Sequence, residues 1–485
     1  MAKAFASRKD MDMTTGNLFW KIILFALPIM ATTAMQLLYT TVDLTTVHYG
    51  APTEAMGEES MGAIASNNAL INLIVVVFTG VSLGVNVILS EAKGAGDKEK
   101  ASKVMHTSMI LALFSGIFVG LLGFFISDDL LRLMGTEAHY MEKATLYLRI
   151  YFGGLPFLML YNYEAQMLRA QGDSRTPFLI LVASGLTNIA FDCLFVFPLQ
   201  MDVAGVGAAT VMAEGVSCIL GFLALWKGKN NFVSFRFKEL RLDRACLLEV
   251  LRVGLPAGLQ GFFFSLPNVF IQSSLYTIDP GNVNLENGAT AASGVEGYFH
   301  AMSDAIAVSM MTFIAGNVGA KKPENVKKCI LYGFAWGGIV CSLIALITGA
   351  LHYPLLRLFV SNEEAIEAGR SRLFTMGFFY SFQFLMGATA GALRGIRKST
   401  FPMVTTLVFC TGLRILLILT VFPLEQFHTV MWLYALFPIT WALSAGVNLI
   451  GMAIFFPKTM RKISTTEAVT STENESSPCA DGADE

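Results

Sequence analysis

Apolar residues in this chain come in blocks of twenty or more, such as 22–41 and 104–126. Wound as a helix, a block of that length crosses roughly 30 Å of hydrocarbon. Hydrophobic residues make up 54% of the 485 and charged residues only 14%, where a soluble chain would carry about a quarter. These numbers define a polytopic membrane protein whose main partner is the lipid bilayer. A net charge of −2 leaves no footprint for nucleic acid. The polar residues 1–17 lead into an apolar segment of about thirty residues, too long for a signal-peptide core, so it reads as a retained first span. Cysteines occur singly with no CxxC spacing, which implies neither a metal cluster nor a disulfide framework.

Breaks of charge, Pro and Gly divide the apolar sequence into twelve spans, at 18–47, 61–90, 104–126, 144–166, 177–199, 204–226, 247–277, 297–318, 329–351, 369–393, 402–422 and 430–456. Lys and Arg concentrate in alternate connections. Lys93, Lys98, Lys100 and Lys103 fill one, Lys321, Lys322, Lys327 and Lys328 another, and the central 227–252 segment carries seven more. The loops 48–60, 200–204, 279–295 and 423–429 hold none, and only Arg132, Lys143 and Arg357 dilute the pattern. The positive-inside bias then puts both termini in the cytoplasm of a cell-membrane protein.

The stretch MLRAQGDSRTP at 167–177 has an echo, ALRGIRKSTFP, at 392–402, with Leu-Arg and Pro both aligned at an offset of 225. The same offset carries LLRL at 130–133 onto 355–358, Gly94-Ala95 onto Gly319-Ala320, Glu99 onto Glu324, Lys103 onto Lys328 and Phe197-Pro198-Leu199 onto Phe422-Pro423-Leu424. The fold class is therefore all-α integral membrane, twelve helices in two pseudo-twofold-related six-helix bundles. Its parts are an N-terminal cytoplasmic segment (1–17), a first lobe (18–226), a basic linker (227–246), a second lobe (247–457) and a Ser/Thr/Glu-rich tail (458–485) expected to be disordered. Parallel six-span repeats suit alternating access at a shared cleft.

Charges inside spans are expensive and mark ion or substrate paths. The set is Asp43, Glu164, Asp192, Glu214, Asp304 and Arg414, with Glu296 near a span end. Asp43 and Asp192 both fall in the outer half of the membrane by helical rise. Asn188 shares a face with Asp192 at i−4, and Thr210 and Glu214 share one on the sixth span. These five form a hard-oxygen pocket that would hold Na⁺ or share a proton between its acids. At the 225 offset Asn188 and Asp192 become Leu413 and Leu417, so coupling is one-sided. Asp304 and Arg414 read as partners in the second lobe. Together with Gln260 and Asn268 they are candidates for the substrate cavity. Pro28 and Pro256 mark kinks of the first and seventh spans. A catalytic histidine would be buried among polar helpers, whereas His300 falls near a predicted span end, so no enzyme is expected.

This ordered set resembles the multidrug and toxic compound extrusion (MATE) transporters, and most closely their DNA-damage-inducible protein F-like branch. The resemblance rests on Leu27-Pro28, YTTVD ending at Asp43, GAGDKEKA, LRAQGDSRTP, TNIAFD, GVGAATV, GLPAGLQ, GNVGA and ALRGIRKSTFP, and covers residues 18–457. It implies antiport of amphiphilic, often cationic small molecules against Na⁺ or H⁺ through two lobes, with no other cofactor, in a chain read as a monomer. It also implies a first-lobe cation site at Asp43, Asn188, Asp192 and Thr210. Some members use acids in spans seven and ten; here Gln260 stands at the first position and span ten has none between Leu373 and Leu393. A lipid-linked oligosaccharide flippase of the same superfamily is the alternative reading.

Overall fold

The computed structural model describes residues 11–228 and 231–475. Twelve long helices follow one another. The first lobe holds α1 (Leu18–Gly50), α2 (Glu54–Gly94), α3 (Lys98–Leu133), α4 (Met141–Ala170), α5 (Arg175–Val196) and α6 (Asp202–Lys227). The second holds α7 (Arg244–Ile278), α8 (Val283–Gly319), α9 (Pro323–Arg357), α10 (Glu363–Gly395), α11 (Thr400–Thr420) and α12 (Val430–Glu475). Ten are long and apolar enough to cross a membrane on length and composition alone; α4 and α10, which occupy matching places in the two halves, are the more polar pair. Lipid-facing surface is visible on α3, where Phe114, Phe118, Leu121 and Phe125 form an exposed stripe at helical spacing.

The helices outrun the apolar blocks that predicted them. The loops expected at 48–60 and 279–295 are largely helical, because Thr53 and Asn282 cap α2 and α8 early by accepting from the amides of Met56 and Leu285. His300 consequently lies well inside α8 rather than near a span end. The tail expected to be disordered continues α12 as far as Glu475. No Gly or Pro interrupts 458–475, and extending an existing helix costs far less than nucleating one. Residues 1–10, 229–230 and 476–485 lie outside the described residues.

Packing repeats with the sequence. In each lobe the second and fourth helices pack together, as do the third and fourth, the fourth and sixth, and the fifth and sixth. The first helix of each lobe packs on its own fifth and also crosses over: α1 lies on α8 and α9, and α7 lies on α2 and α3. Where α2 meets α7 the contact is backbone to backbone. A Cβ on Gly258 would sit 2.1 Å from the Val77 carbonyl oxygen, and one on Gly84 would sit 2.4 Å from that of Val250. Small residues spaced four apart (Gly80 and Gly84 against Gly254 and Gly258) let the helices approach closely in lipid, where dispersion and packing must do what water does elsewhere.

At the end of the bundle carrying the basic loops, side chains add to this seam. Arg397 reaches Glu91 of α2 at 2.6 Å and Glu249 of α7 at 3.0 Å, and Lys100 of α3 meets Glu249 at 2.9 Å. Arg397 stands where the first half has Gly172, and both have positive φ, +61° and +91°. A β-carbon in that conformation costs about 1–2 kcal/mol, which the double ion pair across the seam helps offset. Residues 11–17 are seated at the same end. The carbonyl of buried Met13 accepts from Asn317, that of Thr14 from Lys322 and Asn325, and the Met11 amide donates to Gly172. The dilution of the charge pattern at the opposite end also has a cause: Lys143 is neutralised by Glu59 and Asp202, and Arg132 by Asp128.

Candidate functional site

The first lobe brings its acids together through one steric fit. Tyr39 of α1 tucks its ring against Gly185 of α5, where a β-carbon would fall 1.8 Å from a ring carbon, and its hydroxyl donates to the Leu181 carbonyl. The two helices run parallel from that contact, and Gly50 meets Val196 eleven residues on along each. One turn beyond Tyr39, Asp43 therefore faces Asn188 and Asp192. On the other side of α5, the Ser184 hydroxyl donates to the Ala213 carbonyl at 2.7 Å and sets the register of α6. That register brings Thr210 level with Asn188, and Glu214 follows one turn along the same face.

Asp43 is 9% exposed, Asn188 5% and Asp192 0%. Neither oxygen of Asp192 has a hydrogen-bond donor, and Asp43 Oδ1 and Glu214 Oε2 are likewise unmatched. Burying carboxylate oxygens without donors is costly unless a cation or a proton compensates them. Two residues that the sequence reading missed complete the pocket. Tyr147 of α4 stands among Asp43, Asp192, Glu214 and Thr210, and Tyr151, one turn on, lies beside Glu214. Their signal was the polarity of α4 itself, whose tyrosines follow helical spacing. All five predicted pocket residues thus converge, and α4 links the Asp43–Asp192 part to the Thr210–Glu214 part. Glu164 lies apart from them, buried against Gly221 of α6.

The second-lobe expectations fare differently. Asp304 and Arg414 are not partners: Asp304 is exposed on α8, whereas Arg414 is 0% exposed. The Arg414 guanidinium donates to Thr440 Oγ1 and stacks over Phe437, so it faces the lobe interior and lines no cleft. Gln260 is buried and accepts from Arg394 at 2.7 Å, and Asn268 is exposed elsewhere on α7. Of the four tentative cavity residues, Gln260 and Asp304 share Arg394 as a neighbour, whereas Arg414 lies apart from them. The strongest second-lobe ion pair is one not anticipated, Arg372 with both oxygens of Glu296 at 2.9 Å. Pro28 and Pro256 both lie inside continuous helices.

Two pseudo-symmetric six-helix lobes, one enclosing a cluster of acids, define a polytopic membrane transporter. A family model described as MatE matches residues 28–194 and 268–420, and the chain belongs to that family of multidrug and toxic compound extrusion transporters. It is 27% identical over 401 residues to the probable multidrug resistance protein YpnP of Bacillus subtilis, covering 82% of this chain and 86% of the relative. Among solved structures, a MOP superfamily transporter from Pyrococcus furiosus superposes with a TM-score of 0.83 at 22% identity, covering 95% of this chain and 99% of the other. An outward-facing multidrug resistance MATE family transporter follows at 0.80 and 22%, covering 94% and 98%. The family match and the curated relative support drug efflux as the transport activity, and the solved structures share the fold.

Proposed function

We propose that the protein is a secondary antiporter, expelling amphiphilic or cationic compounds in exchange for Na⁺ or H⁺ by alternating access. The observation that carries this reading is the donor-poor cluster of Asp43, Asp192 and Asn188 inside the first lobe. A site rich in unpaired carboxylate oxygens and closed to water gains a cation or a proton, and gives it up only when the lobe opens. The second lobe has leucines at the matching positions, so the ion acts on one lobe alone. The seam of glycines and ion pairs at the basic end is the gate that must part for the cleft to open there. Bending of α1 at Pro28 would carry Asp43 relative to α5 as the site loads. The basic end faces the cytoplasm and the chain sits in the cell membrane as a monomer.

The flippase alternative is not favoured, because Arg414, the charge it relied on, is enclosed within the second lobe. In proteoliposomes with Na⁺ and pH gradients imposed separately, Asp43→Asn should abolish gradient-driven dye efflux while the purified protein remains monodisperse. Undiminished efflux by that variant would sink the assignment.

A further inference from the structure

Among the described residues Arg414 has no acidic partner, yet it is the largest fully buried side chain among them. Its Nε and Nη2 donate to Thr440 Oγ1 at 3.2 and 2.6 Å, and its Nη1 donates to nothing. The Phe437 ring, 4.3 Å from the guanidinium carbon, covers one face. The same ring also lies 5.8 Å from the Arg372 guanidinium, whose charge is already matched by Glu296. This interior cluster therefore holds two guanidiniums and one carboxylate. A buried charge in a membrane lobe needs a partner.

The nearest carboxylate of the cluster, Glu296, is held by Arg372, and the groups beside Arg414 itself are a hydroxyl and a thiol rather than an acid. Cys410, one turn before it on α11, faces Thr440 and Ser444 of α12. The hydroxyl of Ser444, which Cys410 faces, is buried and unmatched. The eight residues Thr406–Leu413 that lead into Arg414 are π-helical, a widened register that often accompanies functional sites. The repeat adds an independent argument. At the 225 offset Arg414 corresponds to Ile189, beside Asn188, and Thr440 corresponds to Gly215, beside Glu214. The second lobe thus places a fixed positive charge at the level where the first lobe places its acids.

We propose that the second lobe binds a small monovalent anion of halide size against Arg414, between α11 and α12. Complete enclosure excludes a substrate carboxylate or phosphate, which would bring a bulky body with it. A halide needs only the free guanidinium N–H groups and a hydroxyl or two, and it would balance the cluster's charge.

The test uses the purified full-length protein, with thermal unfolding followed in sodium chloride, sodium bromide and sodium gluconate at equal ionic strength. The native protein should show a saturable rise in unfolding temperature with chloride or bromide and none with gluconate. Arg414→Met should lose that halide dependence, while Arg414→Lys, which keeps the charge, should retain it with weaker apparent affinity. Bromide-soaked crystals should show an anomalous peak beside Arg414. Equal unfolding temperatures of the native protein in chloride and gluconate would overturn the proposal, as would unchanged halide dependence in Arg414→Met or a bromide peak elsewhere. Should Arg414→Met fail to fold, the native titration, the lysine variant and the bromide peak still decide the question.

Discussion

Replacing Gly258 by Ala puts a methyl into a backbone-to-backbone contact between the lobes. The added Cβ would stand 2.1 Å from the Val77 carbonyl oxygen and 2.9 Å from its carbon, with Gly80 of α2 packed against the same turn. An ordinary C···O contact is about 3.3–3.6 Å, so α2 and α7 must part by roughly 1.3 Å at this level. Both obstacles are backbone atoms, which no side-chain rotation relieves. Overpacking of this kind costs about 1–3 kcal/mol. Under the proposed alternating access, the cost falls only on the state in which the basic ends are shut, because separating the lobes there would remove the contact. A differential of that size shifts the equilibrium between the two states about 5- to 150-fold. In a background lacking the native cysteines, spin labels at Lys98→Cys and Lys398→Cys would report the separation of the basic ends. The Gly258→Ala distance distribution should move to longer values, and gradient-driven efflux should fall in step. An unchanged distribution together with native efflux would refute the view that this seam is a gate.

Gly185→Ala should displace the Tyr39 ring and with it the Asp43 turn, costing about 1–3 kcal/mol of stability and lowering ion-coupled efflux more than drug binding, measured side by side. Tyr147→Phe should keep the fold but alter the ion dependence of transport, since its hydroxyl is the group joining both halves of the acid cluster; identical Na⁺ and pH profiles would remove it from the site. The seated segment 11–17 should loosen in acid. Burial of Asp12 works to raise its pKa, but hydrogen bonds from Thr15 and Thr14 and the charge of Lys21 outweigh it and hold the carboxyl below the ordinary carboxylate value. A lowered native pKa stabilises above the unfolded value and is lost as pH falls through the native one. Protection of the amides of residues 11–17, corrected for the intrinsic exchange rate, should therefore fall below the usual aspartate range, and Asp12→Asn should show low protection at every pH.

The chain's local chemistry determined the number of spans, the alternation of basic connections, the two halves and the residues of the acid cluster. The reason is that a helix in hydrocarbon satisfies its own backbone, so length, apolarity and the rare buried charge can be read one segment at a time. Only the tertiary structure decided who meets whom. Asp43 lies about 145 residues before Asn188, and the contact depends on Tyr39 fitting at Gly185, a matter of shape that no hydropathy pattern records. The same holds for Tyr147 beside the acids, for Lys143 between Glu59 and Asp202, and for glycines of two lobes interlocking. Opposite charges in one lobe suggested that Asp304 and Arg414 pair; the helical faces point them apart, and Arg414 turns inward to Thr440 and Phe437. Helix packing in lipid rests on small differences of surface shape between distant segments, and these exist only once the helices are side by side.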